Sequence, residues 1–198
     1  MKYGISILIV GFAFFSCEDL KQGNHSVEIR KSLVYVSNKS KDILTQNNTL
    51  YYKTKVFSGV LFAINDKSKD TILVENYFNG VLDGVSKKWH SNAQLMEIRH
   101  YSSGQKNGKQ MAYYENGRRR FEFTAKNDQY EGELNEWNVA GKLIHRATYK
   151  NGQEEGAQQM WYDNGKIRAN YVIVAGRRYG LLGTKNCKNV SDSIFVVR

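Results

Sequence analysis

Four aromatic side chains recur in the sequence at a fixed interval of 24 residues, namely Trp89, Tyr113, Trp137 and Trp161. Flat rings hold a partner by stacking and apolar contact, so the chemistry that this row offers is non-covalent recognition of a peptide or of sugar rings. The same rings stabilise neighbouring strands when they pack against one another. The spacing therefore predicts either the structural aromatics of a repeat or a binding face.

Groups that could catalyse a reaction or bind a metal are sparse. The four histidines occupy unrelated positions, and no Cys or His pair has the spacing of a metal site. These histidines are His25, His90, His100 and His145. The acidic residues between Glu131 and Glu155 suit solvated strands and loops. We therefore predict no enzymatic activity, no catalytic residue, no metal, no cofactor and no small-molecule substrate.

The N-terminal residues have the pattern of an export signal. Lys2 precedes an uncharged, apolar run over residues 3–16, which is shorter than the roughly 20 residues of a membrane-spanning helix. The segment Phe14–Cys17 resembles the lipobox of bacterial lipoproteins, in which the cysteine is lipidated and becomes the first mature residue. That resemblance predicts a signal peptide and lipid attachment at Cys17. The simpler alternative is an ordinary signal peptide that ends near a cysteine.

Export and lipidation decide where the chain acts. A lipid-anchored chain stays in the bacterial cell envelope, at the outer membrane or on the periplasmic face, so nucleic acid is not an expected partner. Removal of residues 1–16 deletes one lysine and leaves a net charge of +9 from the full +10. With Cys17 lipidated, the second cysteine, Cys187, is either a buried thiol or a free one.

Basic residues form a second group suited to binding. The chain of 198 residues has 29 Lys and Arg against 19 Asp and Glu. We expect a candidate patch for an acidic protein or an anionic lipid at Arg118, Arg119, Arg120, Arg177 and Arg178. An equally simple explanation is that charged strands prevent edge-to-edge aggregation.

A repeat of 24 residues organises most of the chain. Its first marker is a Gly-x-x-x-Gly unit, which starts at Gly80, Gly104, Gly152 and Gly176. Asp128 replaces the first glycine of a further copy, and Asn-Gly turn signals follow at Asn116 and Asn164. The segments between turns are too short for helices, and the chain has no proline to interrupt a ladder. The predicted fold class is all-β, an elongated meander of antiparallel β-hairpins.

Alternation of side chains along the strands predicts the two faces of this sheet. One face is expected to carry the four rings and the apolar residues of the returning strands, namely Leu95, Phe121, Phe123, Leu143, Ile167 and Tyr171. The other is expected to carry a mixed set that includes Lys88, His90, Gln110, Glu136 and Gln158. On this prediction, neighbouring hairpins bury the aromatic face.

The units resemble MORN repeats in the variant form of bacterial envelope proteins. The pattern of an aromatic, Asn-Gly, a second Gly, another aromatic and an Asn turn is matched at 77–92 and at 149–165, and the resemblance covers 57–183. Chains of this kind are grouped with the YwqK-type antitoxin family, which implies binding and neutralising a protein toxin. Some MORN proteins are associated with phospholipid binding, which implies a different partner.

These predictions divide the chain into segments, with a signal peptide at 1–16, a lipidated tether at 17–26, capping strands at 27–56, MORN-like repeats at 57–183 and a C-terminal tail at 184–198. We expect a non-catalytic, membrane-anchored module that binds an unidentified protein, a toxin if the family label holds. The alternative is a structural scaffold whose basic edge binds anionic phospholipid. A glycan-binding role ranks third.

Overall fold

The structure, a computed structural model, describes residues 33–183, which form two β-sheets. The predicted signal peptide 1–16, the lipidated Cys17 with its tether, Cys187 and the tail 184–198 lie outside the described residues. The smaller sheet has three antiparallel strands, β2 (Ile43–Gln46), β3 (Thr49–Tyr52) and β4 (Lys55–Val56). No helix in the described range is long and apolar enough to cross a membrane.

The larger sheet has fourteen strands in almost sequential order. They are β1 (Tyr35–Ser37), β5 (Gly59–Ile64), β6 (Thr71–Phe78), β7 (Val81–Leu82), β8 (Gly84–Trp89), β9 (Leu95–Ser102), β10 (Gln105–Lys106), β11 (Gly108–Tyr113), β12 (Arg119–Lys126), β13 (Gln129–Trp137), β14 (Leu143–Lys150), β15 (Gln153–Trp161), β16 (Ile167–Val174) and β17 (Arg177–Leu181). Consecutive strands pair antiparallel, except that β1 runs parallel to β5. The predicted all-β meander of hairpins is confirmed.

Two-residue turns close the hairpins at one end of the strands, which we call the short-turn end. At the turn between β12 and β13, Asn127 and Asp128 have φ values of 50° and 65°. Left-handed conformation at both positions is the type I′ geometry that matches the twist of a hairpin. The same paired geometry recurs at 79–80, 103–104, 151–152 and 175–176. Asp128 replaces a glycine here, and its Oδ1 accepts a hydrogen bond from the Lys106 backbone N at 2.9 Å.

Five-residue turns close the hairpins at the opposite end, which we call the long-turn end. They span 90–94, 114–118, 138–142 and 162–166. The predicted Asn-Gly turns lie here, but they are not two-residue turns. Asn116 instead accepts a hydrogen bond from the Arg118 backbone N through its Oδ1 at 3.0 Å, and Gly117 alone takes a left-handed φ, 78°. An asparagine side chain therefore closes the loop.

A register shift at each long turn changes which residues share a face. Ala112 pairs with Phe121, whereas the next residue, Tyr113, pairs with Arg119, so one strand carries an extra residue. Strict alternation counted through such a bulge assigns every later side chain to the wrong face. The prediction that Phe121, Phe123 and Tyr171 share the face of the four rings is therefore wrong. They lie on the opposite face, which also carries Lys88, Gln110, Glu136 and Gln158.

This opposite face, the buried face, is the better packed of the two, contrary to the sequence prediction. Its centre combines small residues, Ala112, Ala125, Ala147 and Ala169, with Leu134, Tyr171 and Ile173, all buried. Gln110 and Gln158 have no exposed surface at all. Rings pack side by side along it, with centroids 4.6 Å apart for Phe123 and Tyr130 and 4.9 Å apart for Tyr130 and Tyr149. The small alanine side chains leave room for the neighbouring rings, so a face of mixed composition can pack closely.

The three-stranded sheet packs where the large sheet begins. Leu50 and Phe57 form a buried cluster with Val36 and Leu61, against which Ile43, Tyr52 and Tyr77 pack. Backbone bonds fix the contact, since the Leu50 N donates to the Gly80 carbonyl at 2.8 Å and the Gly80 N to the Phe57 carbonyl at 2.7 Å. The upstream strands thus cover the first hairpin of the array, where a terminal repeat has no preceding neighbour.

Candidate functional site

The row of four rings lies on one face of the large sheet, which we call the ring face. Each ring is the last residue of its strand, and each is half-buried. Across the hairpin they pair with the first residue of the returning strand, Leu95, Arg119, Leu143 and Ile167 in turn. The structure thus places all four predicted aromatics together, at the long-turn end of the face that is less completely packed.

An apolar groove of about 580 Å³ crosses the ring face near its first repeat. Val74, Val85, Ile98 and Met111 line it together with the Trp89 ring, from four successive strands of the sheet. Lys87 and His100 add polar groups at its surface. Apolar lining with a few polar groups is the usual composition of a binding groove.

Two smaller pockets lie at the long-turn end, one repeat apart. The first, of about 470 Å³, is lined by Arg118, Arg119 and Trp137 together with the small residues Ala140 and Gly141. The Arg119 guanidinium lies 6.0 Å from the centre of the Trp137 ring. The second pocket, of about 320 Å³, is lined by Glu136, Ile144, His145, Met160, Trp161 and Arg168. The two pockets open on opposite faces of the sheet, because Trp137 and Arg119 lie on the ring face whereas Glu136, His145 and Met160 lie on the buried face.

Side chains link each long turn to the next. The His90 Nε2 lies 2.9 Å from the Tyr113 carbonyl oxygen, and the Tyr114 hydroxyl donates to the Trp137 carbonyl at 2.8 Å. The Asn116 amide donates to the Val139 carbonyl at 3.0 Å. Sequence reasoning predicted Asn116 as a turn residue but assigned His90 and Tyr114 no role, although these two occupy the same position of the 24-residue repeat. These bonds tie each long turn to the end of the next strand that carries one of the four rings, or to the turn that follows it.

The five arginines of the predicted basic patch do not form one group. Arg118 ends a long turn and Arg119 and Arg120 begin β12, whereas Arg177 and Arg178 begin β17. Because the five strand pairings between them are all antiparallel, the two groups lie at opposite ends of the strands. Arg119 pairs with Glu122 at 3.0 Å and Arg178 with Glu154 at 3.3 Å.

The long-turn end is nevertheless rich in positive charge. The segments 113–120, 137–144 and 161–168 carry six cations and two acids there, namely Arg118, Arg119, Arg120, Lys142, Lys166 and Arg168 against Glu115 and Asp163. The facing segments 126–132, 150–156 and 174–180 of the short-turn end carry four of each sign. Arg118, Lys142 and Lys166 recur at intervals of 24 residues, a signal that was visible in the sequence.

Titratable groups on the buried face are held in their ordinary charge states. Burial by itself raises the pKa of Glu97, but hydrogen bonds and charges from Lys88 and Arg99, both at 3.1 Å, outweigh it and lower that pKa. A hydrogen bond from His145 lowers the pKa of Glu136 in spite of burial. Burial and the neighbouring Glu75 carboxylate raise the pKa of the Tyr77 hydroxyl. These carboxylates stay ionised and this phenol stays protonated near neutral pH.

Comparison with known proteins adds little to this geometry. No protein-family model matches the chain, and no curated protein matches it. Among solved structures, a mutant S. aureus TarM with bound fondaparinux, α-GlcNAc-glycerol and UDP is similar at a TM-score of 0.31 and 16% identity, over 50% of this chain and 20% of that one. A second TarM structure gives 0.31 and 14%, over 55% and 21%. The chain thus spans about a fifth of these proteins. Similarity at this level supports no inference about function. The class of protein is therefore defined by the fold alone, as an all-β protein of hairpin repeats.

Proposed function

We propose that the chain is a non-catalytic lipoprotein of the bacterial cell envelope, anchored through Cys17, whose MORN-like hairpins bind a protein partner. The observation that carries the proposal is the apolar groove beside Trp89, where half-buried Val74, Val85, Ile98 and Met111 lie side by side. Such a groove accepts the apolar side chains of a partner segment, and Lys87 and His100 at its surface favour acidic or hydrogen-bonding groups around them.

The charge states of the buried face support a binding role over a catalytic one. Acid–base catalysis works best with a group whose pKa lies near the operating pH. The pKa values of Glu97 and Glu136 are instead shifted below the ordinary carboxyl range, and that of Tyr77 is shifted upward. Each shift moves the pKa of its group further from neutral pH, which does not favour proton transfer there.

The groove can be tested by site-specific photocrosslinking in native cells with the full-length chain. A photoreactive residue at Lys87, at the surface of the groove, should give one discrete protein adduct, and one at the exposed Ala157 on the same face should give none. Ile98→Glu should abolish the adduct, whereas Val172→Glu, a similar change on the same face six strands away in the order of the sheet, should not. Equal adducts from both positions, or none from Lys87, would contradict the proposal.

The antitoxin role has a separate test. If the captured partner is a toxin, its expression alone should arrest growth and co-expression with this chain should restore it. The Ile98→Glu variant should fail to restore growth, and the Val172→Glu variant should succeed. A captured partner that is harmless when expressed alone would remove the antitoxin role and leave the binding role intact.

A second candidate is a scaffold whose basic end lies on anionic phospholipid. The six cations of the long-turn end favour it, because positively charged surfaces adhere to anionic membranes. Arg177 and Arg178 lie at the other end of the strands, so a bilayer that meets the long-turn end does not engage both arginine groups. Sedimentation with phosphatidylglycerol vesicles that is lost at high salt would support this candidate.

A further inference from the structure

The pocket that opens on the buried face contains a row of three side chains from three adjacent strands. Glu136 in β13 lies directly opposite His145 in β14, and His145 lies directly opposite Met160 in β15. All three line this pocket of about 320 Å³, and Ile144 and Trp161 complete its apolar wall. Residues directly opposite one another on neighbouring strands have Cβ atoms about 5 Å apart, so the imidazole of His145 and the thioether of Met160 can reach one ligand between them.

The imidazole of His145 is oriented so that one of its nitrogens is left for a ligand. Its Nδ1 lies 3.2 Å from the Glu136 Oε2, and a carboxylate oxygen only accepts hydrogen bonds, so Nδ1 carries the proton. In the neutral ring, Nε2 therefore has a lone pair. This Nε2 is buried and has no hydrogen-bond partner in the described structure. A carboxylate that accepts from one nitrogen is the usual second partner of an imidazole whose other nitrogen binds a metal.

The repeat itself does not require this histidine. One repeat earlier, the equivalent row consists of Ala112, Phe121 and Glu136, in which a phenyl ring occupies the position of His145. A phenyl ring leaves no buried polar atom unpaired, whereas an unpaired buried nitrogen destabilises the fold. The cost at Nε2 is therefore particular to this repeat, and a ligand bound to that nitrogen removes it.

The donor atoms decide which ion suits the pocket. Within residues 33–183, no group of three or more His, Cys, Asp and Glu side chains is placed to hold a metal ion. The sulfur of Met160 is a soft donor, and a thioether beside an imidazole favours Cu(I) over harder ions. The Trp161 ring adds a π face that attracts a cation. Arg168 also lines the pocket, but it is exposed to water, and the Glu136 carboxylate supplies the opposite charge.

We propose that this pocket binds a soft monovalent cation, Cu(I), through the His145 Nε2 and the Met160 sulfur, with Glu136 orienting the imidazole. The sequence prediction of no metal rested on the spacing of Cys and His pairs. Residues 145 and 160 meet only through the register of β14 and β15, which that spacing does not show. The site is separate from the groove beside Trp89, so the two proposals stand or fall independently.

The test measures binding of Ag(I), a redox-inert probe, and of Cu(I) under anaerobic reducing conditions to the folded full-length chain. Every variant carries Cys17→Ser and Cys187→Ser, because thiols bind the same ions. A single ion of either metal should bind, quench tryptophan fluorescence and raise the midpoint of thermal unfolding, since it binds the folded state. Zn(II) should bind at least about tenfold more weakly. Failure of both monovalent ions to bind, or equal binding of Zn(II), would overturn the proposal.

Matched variants separate this pocket from general metal binding. Met160→Leu keeps the apolar bulk without the sulfur, and His145→Phe copies the residue of the preceding repeat, so both should fold and bind Ag(I) at least about tenfold more weakly. The control is His100→Gln with Met111→Leu, a second His and Met that line the ring-face groove. There the Met111 sulfur accepts a hydrogen bond from the Tyr113 hydroxyl at 3.6 Å, and binding should change less than about twofold. Equal losses in the control, or unchanged binding in Met160→Leu, would contradict the assignment.

Discussion

Gln110 and Gln158 occupy equivalent positions two repeats apart, and each is completely buried while donating its side-chain amide to a strand carbonyl. The bonds are 2.9 Å long to the His100 carbonyl and 2.8 Å long to the Thr148 carbonyl. The Oε1 atom of each glutamine is buried without a partner in the described structure. Between them in the repeat stands Leu134, which is also buried. This position of the repeat therefore accepts either an apolar side chain or an amide whose nitrogen donates a hydrogen bond while its oxygen has no partner.

We expect Gln158→Leu to change the free energy of unfolding by less than about 1 kcal/mol, because loss of one hydrogen bond is offset by removal of an unpaired acceptor. Gln158→Glu should instead cost about 3 kcal/mol or more at neutral pH, since it buries a charge without a cation beside it. Chemical denaturation of both variants measures the difference. Equal costs for leucine and glutamate would show that the site is open to water.

Ala93 should be less stable than a glycine at the same position. It has a φ of 63°, and the equivalent residues Gly117, Gly141 and Gly165 have φ values of 78° to 83°. Ala93→Gly should raise the free energy of unfolding by about 0.5–1 kcal/mol, because it removes left-handed strain. Gly165→Ala should lower it by a similar amount, since no atom lies within 4 Å of the added methyl group. A thermal melt of each variant gives the sign of the change in stability.

The outcome at Trp137 shows how far sequence alone could go. The 24-residue spacing was enough to predict the hairpins, the positions of their turns and the shared face of the four rings, because each is a local or periodic property. It was not enough to predict which face is packed. The bulges that move Phe121 and Tyr171 to the buried face depend on pairing between strands, which is absent from the spacing. The pockets at the long-turn end follow from the same register and were not predicted.

Trp137→Ala should therefore lower the free energy of unfolding by about 2 kcal/mol. This value lies between the loss of roughly 3–5 kcal/mol expected for a fully buried ring and the loss below about 1 kcal/mol expected for an exposed one. The ring is half-buried and pairs with Leu143 across the hairpin. Leu134→Ala, at a buried position of the same strand, serves as the comparison and should cost about 2–4 kcal/mol. A loss above about 4 kcal/mol at Trp137 would make the ring a core residue and weaken its role as a binding surface.

Acid should destabilise the protein in part through Glu97. Burial raises its pKa, but Lys88 and Arg99 outweigh burial, so the folded pKa lies below the ordinary value of 4.5. A carboxyl whose pKa is lower in the folded state stabilises that state above its unfolded pKa, and this contribution is lost as the pH falls through the folded pKa. Unfolding free energy measured from pH 6 down to pH 3 should therefore fall less steeply in Glu97→Gln than in the native chain. An unchanged slope would show that the two cations do not stabilise the carboxylate.

Tyr114 should couple two consecutive repeats. Its hydroxyl donates to the Trp137 carbonyl at 2.8 Å, which ties the turn of one hairpin to the last residue of the next outgoing strand. Tyr114→Phe removes that bond and keeps the ring, so we expect a loss of about 0.5–1.5 kcal/mol in unfolding free energy. Tyr179→Phe, at a tyrosine that is 55% exposed, is the matched control and should change it by less than about 0.5 kcal/mol. Because repeat stability is transmitted between neighbours, hydrogen exchange in Tyr114→Phe should also quicken in the strands on both sides of Trp137. Faster exchange confined to residues 114–118 would mean that the bond closes its own turn and does not link the repeats.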